Sequence, residues 1–435
     1  MRKFTTLVLL TTGLITLGAG MAQGAGFNIY EAGVRATALG GAFTASADDG
    51  SALFYNAAGL SFQEGRSASI NLMPVNPRFK FRGATTFAGE GAFEEVQHKT
   101  YLVPGAYYTA RPSEKFSYGL GVYAPFGLGV KWMNPDTFVG RQVSYDVEIQ
   151  TVYVTPALSY MVADGLALAV GVDVATQHLN LKRQTPHPTL GGQMLDTQIE
   201  GSSNVNVTPS MGLMYRPNEK VSLGVMYHHK KTLKYEDGEA TLANALSPGD
   251  PGYVTPVTLL AGLGGSDQLL DSELNLPYIL SLGASYQFTP RLRGEANYVR
   301  FGWSTFRSLS LDFDTDALDQ TIHFDYEDTW QIRFGLDFQA IPDRLNVMAG
   351  YVHDKTPQPL ASVSPLLPDA DRNDYSIGLQ VFHGKWDFNL GYMLVIAEER
   401  TNIENGMPAN PDPAYPVGTY KNMANIFGAG IGYRF

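Results

Sequence analysis

The residues equipped for chemistry are few and scattered. Of the eight histidines only His228 and His229 are adjacent, and neighbours in a strand point to opposite faces, so the two do not share a site. No HExxH, GxSxG or phosphate-loop pattern occurs. A hydrolase inside a barrel would need a Ser/His or Asp/His set at one height, an arrangement that spacing alone does not decide and that is the weaker reading. With no cysteine there is no disulfide, thiolate metal site or lipidated cysteine. The acidic stretches Asp312 to Asp316 and Asp369 to Asp374 carry oxygens of the kind Ca²⁺ takes, but read as solvated loop tips. The net charge of −11, without a basic patch, argues against nucleic acid. The expectation is a protein with no catalytic residue, no cofactor and no metal.

What remains is the handling of apolar matter. The stretch 237–270 contains Val254, Val257, Leu259, Leu260, Leu263, Leu269 and Leu270, and 125–142 adds Phe126, Trp132, Met133 and Phe138. Such residues line a capture groove or form the loops' own small core. Near the N-terminus stand Phe27, Ile29, Leu53, Phe54 and Leu60. Arg35 and Arg333 have the charge to meet a carboxylate on an otherwise apolar cargo. Equally, they fit salt bridges to carboxylates such as Asp173, Asp337 and Asp387. Burying a methylene is worth ~0.8 kcal/mol, so a chain of about 16 carbons would gain on the order of 10 kcal/mol before entropy costs. Passage of such a cargo therefore suits several weaker stations better than one deep site.

The elements that must position these residues repeat with period two. Leu166, Leu168, Val170, Val172 and Val174 oppose Ala167, Ala169, Gly171, Asp173, Ala175 and Gln177. Trp330, Ile332, Phe334, Leu336 and Phe338 oppose Gln331, Arg333, Gly335 and Asp337. Trp386, Phe388, Leu390, Tyr392, Leu394 and Ile396 oppose Asp387, Asn389 and Gly391. These are strands, and several exceed the usual soluble length but suit a tilted membrane crossing of about 9–11 residues. Six tight turns fall at Arg111-Pro112-Ser113-Glu114, Ala163-Asp164-Gly165, Arg216-Pro217-Asn218-Glu219, Thr289-Pro290, Ile341-Pro342-Asp343 and His383-Gly384-Lys385. Longer loops lie near 78–96, 125–142, 184–197, 237–270, 307–321, 357–370 and 402–417. The alternation gives an all-β membrane protein, a 14-stranded antiparallel transmembrane barrel over 66–435, closed because lipid leaves no partner for an open edge. Gly119, Gly121 and Pro125 mark the third strand as the place for a kink, since Pro cannot donate to the ladder and Gly weakens it.

Two segments depart from this pattern. Residues 1–24 have a basic start, an apolar Leu7 to Leu17 run and small residues before the cut, which is a secretory signal peptide. Residues 25–65, rich in Ala and Gly, read as short helical turns. They form a hatch filling a cylinder wider than eight strands' side chains can fill. The last strand, ending in Phe435, resembles the signal by which the barrel assembly machinery recognises outer-membrane proteins.

Gly26-Phe27, Gly40-Gly41-Ala42-Phe43, Ala47-Asp48-Asp49 and Asn56-Ala57-Ala58-Gly59-Leu60 occur in this order. With Ala124-Pro125-Phe126-Gly127, Trp132 and Gly140-Arg141 after them, they resemble the FadL-type family of outer-membrane transporters for long-chain fatty acids and aromatic hydrocarbons. One departure is Asn56-Ala57-Ala58, where the family often has Asn-Pro-Ala; the turn loses proline's fixed φ. The resemblance implies several features. An extracellular groove would form from Phe126, Trp132, Met133, Phe138, Val257, Leu259, Leu260 and Leu263. A ligand site would be closed by Phe27 and Asn28, and cargo would exit sideways at the third-strand kink. It implies hydrophobic small molecules as cargo, outer-membrane lipids and lipopolysaccharide as surroundings, and a monomer. A porin-like channel for small polar solutes is the alternative, and predicts an open, charged constriction.

Overall fold

The computed structural model describes residues 26–85 and 90–435. The signal-peptide reading falls on residues 1–24, outside them. We number the strands around the wall. They are β1 Arg66–Gly83, β2 Tyr101–Ala110, β3 Phe116–Tyr123 with its continuation Gly127–Lys131, β4 Asp146–Ala163 and β5 Leu166–Pro186. Next come β6 Met194–Ser202 with Asn206–Tyr215, β7 Val221–His228 with Lys231–Asn244, β8 Asp267–Leu276 with Ile279–Thr289, and β9 Leu292–Phe301 with Ser308–Phe313. The wall is completed by β10 Gln320–His323 with Thr329–Ile341, β11 Leu345–Asp354, β12 Arg372–His383, β13 Trp386–Ala397 and β14 Gly418–Arg434. Neighbours pair antiparallel, and β14 closes on β1 from Ser67↔Arg434 to Gly83↔Gly418. This is a closed barrel of 14 strands.

The alternation sets which side faces what. Val170 and Leu390 are 58% and 59% exposed, with Phe334, Leu336 and Phe388 also outward, while Ala167, Asp173, Gln177, Gln331 and Arg333 are buried inside. An apolar surface of this kind is stable only against lipid. Phe116, Tyr160, Phe288, Trp386 and Phe435 sit exposed near the short-turn end, as an aromatic girdle at a membrane interface. All six expected tight turns join the strands where placed. Several of the long connections are shorter than expected, while those at 357–370 and 402–417 are slightly longer. β1, β5, β7 and the upper parts of β6 and β8 continue past the membrane, so much of 78–96, 184–197 and 237–270 is strand.

The interior is filled by residues 26–65. These include α1 Val34–Ala38, α2 Ala52–Tyr55 and a 3₁₀ turn Ala57–Phe62. Every residue from 26 to 61 is buried except the half-buried Asp48 and Asp49. Small side chains let backbone meet backbone: a Cβ on wall residue Gly350 would collide with the Gly40 amide. Gly40 itself has φ +64°, a conformation that favours glycine. At the turn lacking proline, Asn56 provides the rigidity. Its side chain accepts from Ala58 N–H (3.1 Å) and donates to the carbonyls of Thr44 (2.8 Å) and Leu213 (2.9 Å).

Of the three residues named for the third-strand kink, the break falls at Pro125 and not at the two glycines. Gly119 and Gly121 are laddered on both sides, to Thr109 and Tyr107 on β2 and to Ala157 and Thr155 on β4. A Cβ at either would press on Leu53 of the hatch, so these glycines make room for α2. The break begins after Tyr123, at Ala124-Pro125-Phe126. A second correction concerns Asp369 and Asp374. They are buried, not solvated loop tips, because Arg372 and Tyr30 draw them inward. Asp312, Asp314 and Asp316 are exposed as expected. Among the described residues no His/Cys/Asp/Glu group is arranged to hold a metal.

Candidate functional site

Above the hatch the wall is discontinuous. The β2–β3 ladder stops at Gly105↔Tyr123; beyond Pro125 the strand pairs with β4 from Gly127↔Gln150 to Lys131↔Asp146, and its other edge is met again only at Lys131–Met133, by residues 95–97. The backbone groups freed at this break are taken by the hatch. Ile29 N–H donates to the Pro125 carbonyl (2.7 Å), Gly127 N–H donates to the Phe27 carbonyl (2.8 Å), and the Asn28 side-chain amide adds a bond to Pro125 (2.9 Å). Proline has no N–H to offer a ladder, so the wall is open here and three hatch residues serve as its missing partner.

Phe27 then anchors an aromatic cluster. Its ring stands 4.9 Å from Trp303, 5.4 Å from Phe306 and 6.1 Å from Phe126, all edge-on. Tyr326, Phe324 and Tyr153 extend the cluster. The hydroxyls of Tyr153 and Tyr326 and the indole N–H of Trp303 are buried without a partner. Phe126 and Phe27 were anticipated from sequence in different places, one in a loop groove and one in the lumen. Trp303, Phe306 and Tyr326 were not anticipated. Gly302, a breaker between Phe301 and Trp303, was the one signal that β9 leaves the wall there.

The charged residues hold the hatch. Arg35 bonds Asp48 beside it and Asp337 on β10 (2.9 Å), while Arg293 on β9 reaches the same two carboxylates (3.3 and 2.9 Å). The result is a closed ring of alternating charge. Burial opposes ionisation of Asp48, yet Arg35 and Arg293 outweigh it and hold its carboxyl well below the usual range. Under this ring lies a polar cavity of about 570 Å³, lined among others by Asp49, Glu64, Arg291 and Asp387. Arg333 is also engaged, donating to the Gly41 carbonyl (3.2 Å) and Gln331 (2.9 Å) beneath the Tyr30 ring.

Two further clusters lie at hatch height. Asp173 accepts from Thr155 (3.0 Å), His228 (2.9 Å) and Lys231 (3.2 Å). The other His228 nitrogen lies 2.9 Å from the Phe54 carbonyl, so both ring nitrogens face acceptors and no nucleophile occupies the position beside the dyad. Phe54 stacks on His228 and meets Tyr123 edge-on, and Leu53 is fully buried beside β3. The second cluster joins Tyr30 to Asp374 (2.5 Å) and Arg372 to Asp354 (2.5 Å). Glu31 is buried within it, neither oxygen bonded; burial pushes its carboxyl up to about 7.

The other loop residues fall into separate environments. Trp132 stacks on Phe138 (4.4 Å) and donates to the Pro365 carbonyl (3.1 Å). Leu259 ends the short helix α3 Pro256–Leu259, its carbonyl bonded to His187 (2.6 Å). Leu263 is buried, Leu260 half-buried, and Met133 and Val257 are exposed.

A closed antiparallel barrel, an apolar outer belt and a lumen plugged by its own N-terminal segment define a plugged outer-membrane β-barrel. The comparisons narrow this. Residues 15–435 match the family described as "Outer membrane protein transport protein (OMPP1/FadL/TodX)". The chain belongs to that family, and its place is the outer membrane of a Gram-negative cell. It is 24% identical to outer membrane protein P1 of Haemophilus influenzae over 490 residues, covering 100% of both chains. In fold it is similar to a Pseudomonas aeruginosa FadL homologue, with a TM-score of 0.79 and 20% identity over 94% of this chain and 100% of that one. It is also similar to the Pseudomonas putida toluene transporter TodX, with a TM-score of 0.67 and 19% identity over 96% and 98%.

Proposed function

We propose that the protein is a passive conduit for hydrophobic molecules, long-chain fatty acids or related lipophiles such as aromatic hydrocarbons. The observation that carries this reading is the hatch strand Phe27–Ile29 hydrogen-bonded into the break of β3. A solute filter needs an open polar constriction. Here the lumen above the hatch is aromatic, the hatch is packed to the wall, and what polar space exists lies beneath it. An apolar cargo gains nothing from that charged lower cavity, whereas the β2–β3 seam leads sideways to hydrocarbon. Related proteins named as toluene transporters support the cargo class.

In this reading, cargo is captured among the exposed apolar loop residues Met133 and Val257 and the half-buried Leu260. It passes to the cluster at Phe27 and leaves through the seam when the bonds of Phe27, Asn28 and Ile29 to Pro125 and Gly127 part. The barrel acts as a monomer, set among outer-membrane lipid and lipopolysaccharide after insertion by the assembly machinery.

The test is uptake of toluene and palmitate by a deletion strain carrying wild-type protein or a Pro104→Cys/Ala124→Cys pair bridged by a short bismaleimide. Bridging should abolish uptake while ligand binding to purified protein persists. Unchanged uptake would refute the sideways exit. Porin-sized ion conductance of the wild type would refute the hydrophobic reading.

A further inference from the structure

The β8–β9 seam fails in the same way as the β2–β3 seam. Its ladder runs from Thr289↔Leu292 to Ile279↔Phe301 and resumes only at Ser272↔Leu311. Among the described residues three bonds cross between these points: Gly302 N–H to the Tyr278 carbonyl (3.0 Å), the Arg300 guanidinium to the Tyr278 hydroxyl (3.1 Å) and the Ser272 hydroxyl to the Ser310 carbonyl (2.6 Å). β8 is not at fault, since its other edge stays laddered to β7 from Lys231↔Leu276 to Tyr235↔Ser272. It is β9 that leaves the wall, turning inward through a 3₁₀ turn at Trp303–Thr305.

That excursion delivers Trp303 and Phe306 to the ring of Phe27, the ring that Phe126 reaches from the β3 break. Both breaks in the wall therefore close on one hatch side chain. The path from outside is short. Tyr278 lies over Gly302, where an added Cβ would collide with its ring, and Trp303 stands directly behind.

The outer mouth is charged. The half-exposed Arg300 donates to the Tyr278 hydroxyl (3.1 Å) and to Asp328 (3.2 Å), and Asp328 also accepts from Ser304 N–H (3.1 Å). Exposed Lys230, at the level where β7 faces Pro277, adds a second cation. A cationic rim before an aromatic throat suits a molecule with one anionic head and one apolar tail.

We propose that the β8–β9 seam is a second lateral opening, which admits single-chain anionic amphiphiles from the outer leaflet. The head rests at Arg300 and Lys230, and the tail enters between Tyr278 and Trp303 when Phe27 withdraws. Neutral hydrocarbons have no use for the charged rim and do not need this route. The proposal rests on reading the protein as a conduit for lipophiles.

The test uses full-length protein in bilayers with palmitate bearing a diazirine near its tail, and adducts mapped by mass spectrometry. Adducts on Tyr278, Trp303 and Phe306 are expected, with loss of that labelling in an Arg300→Gln/Lys230→Gln variant. Adducts confined to the β2–β3 seam and the loops, or labelling indifferent to the two charges, would overturn it. In cells, a Tyr278→Cys/Gly302→Cys pair introduces the chain's only cysteines at opposed positions. Oxidation should lower palmitate uptake severalfold and spare toluene uptake, and reduction should restore it. Equal palmitate uptake in both states, or loss of both cargoes, overturns the second route. Seam labelling by palmitate in a protein that takes up neither cargo would instead refute the conduit reading alone.

Discussion

Ile29 donates its backbone N–H to the carbonyl of Pro125 at 2.7 Å, a bond between plug and wall at the point where the wall's own ladder has ended. The hatch is thereby part of the wall. Its first residues satisfy groups that would otherwise face a gap, and releasing them opens the gap.

Phe27 is the side chain that keeps those residues in place. Truncating a buried phenylalanine costs ~3–5 kcal/mol, and Phe27 is buried among Trp303, Phe306 and Phe126. Phe27→Ala should speed hydrogen exchange at the amides of Ile29 and Gly127 by orders of magnitude while those of α1 keep their protection. Unchanged exchange at Ile29 would count against Phe27 as the anchor.

The charge ring predicts how tightly the plug is held. Arg35→Met leaves Asp48 and Asp337 sharing Arg293 alone. Removing one member of a buried ion pair costs ~3–5 kcal/mol because the other charges stay buried. The variant should melt well below the wild type in detergent and show raised ion leakage in planar bilayers. Arg35→Lys should recover only part, since an ammonium lacks the fork that reaches both carboxylates. A wild-type melting curve for Arg35→Met would sink this account.

Glu31 makes hatch stability depend on pH. Its carboxyl titrates near 7 in place and near 4.5 when unburied. The folded group therefore binds its proton more tightly than the unfolded one. Stability is full below about pH 4.5 and falls as pH rises through about 7, by roughly 3 kcal/mol in all. Glu31→Gln should lessen the fall of melting temperature between about pH 4.5 and 7. A slope equal to the wild type's would show that another group titrates.

Asp173 should be a structural requirement. Asp173→Asn leaves Lys231 and His228 facing a neutral amide, both buried, and loss of several kcal/mol follows from the unpaired charge. Replacing the set together, Asp173→Asn with Lys231→Met and His228→Gln, should be milder than the single change. Additive losses across the set would argue against coupling.

The sequence alone determined the wall. Alternation over Leu166–Leu181 or Trp386–Ile396 fixes which side chains meet lipid, because successive strand residues face opposite ways whatever their partners. The tight turns, the even strand count and the closing strand to Phe435 are equally local. The small residues of 25–65 also announced a segment without the strand period, though not that Phe27–Ile29 would pair with the wall at Pro125–Gly127. Sequence named Arg35 and Asp337 as residues that pair with some carboxylate or cation. It could not say that they pair with each other, since that depends on how α1 seats against β12 and β13 and from there aims Arg35 at β10. Nor did it separate Gly119 and Gly121, which make room for Leu53, from Pro125, where the strand parts: glycine has the same conformational freedom in both roles. The inward turn of Trp303 and the burial of Asp369 and Asp374 were decided by closure. Curling the sheet into a cylinder brings β3, β9 and the N-terminus to one point, and the tertiary structure alone placed Phe27 there.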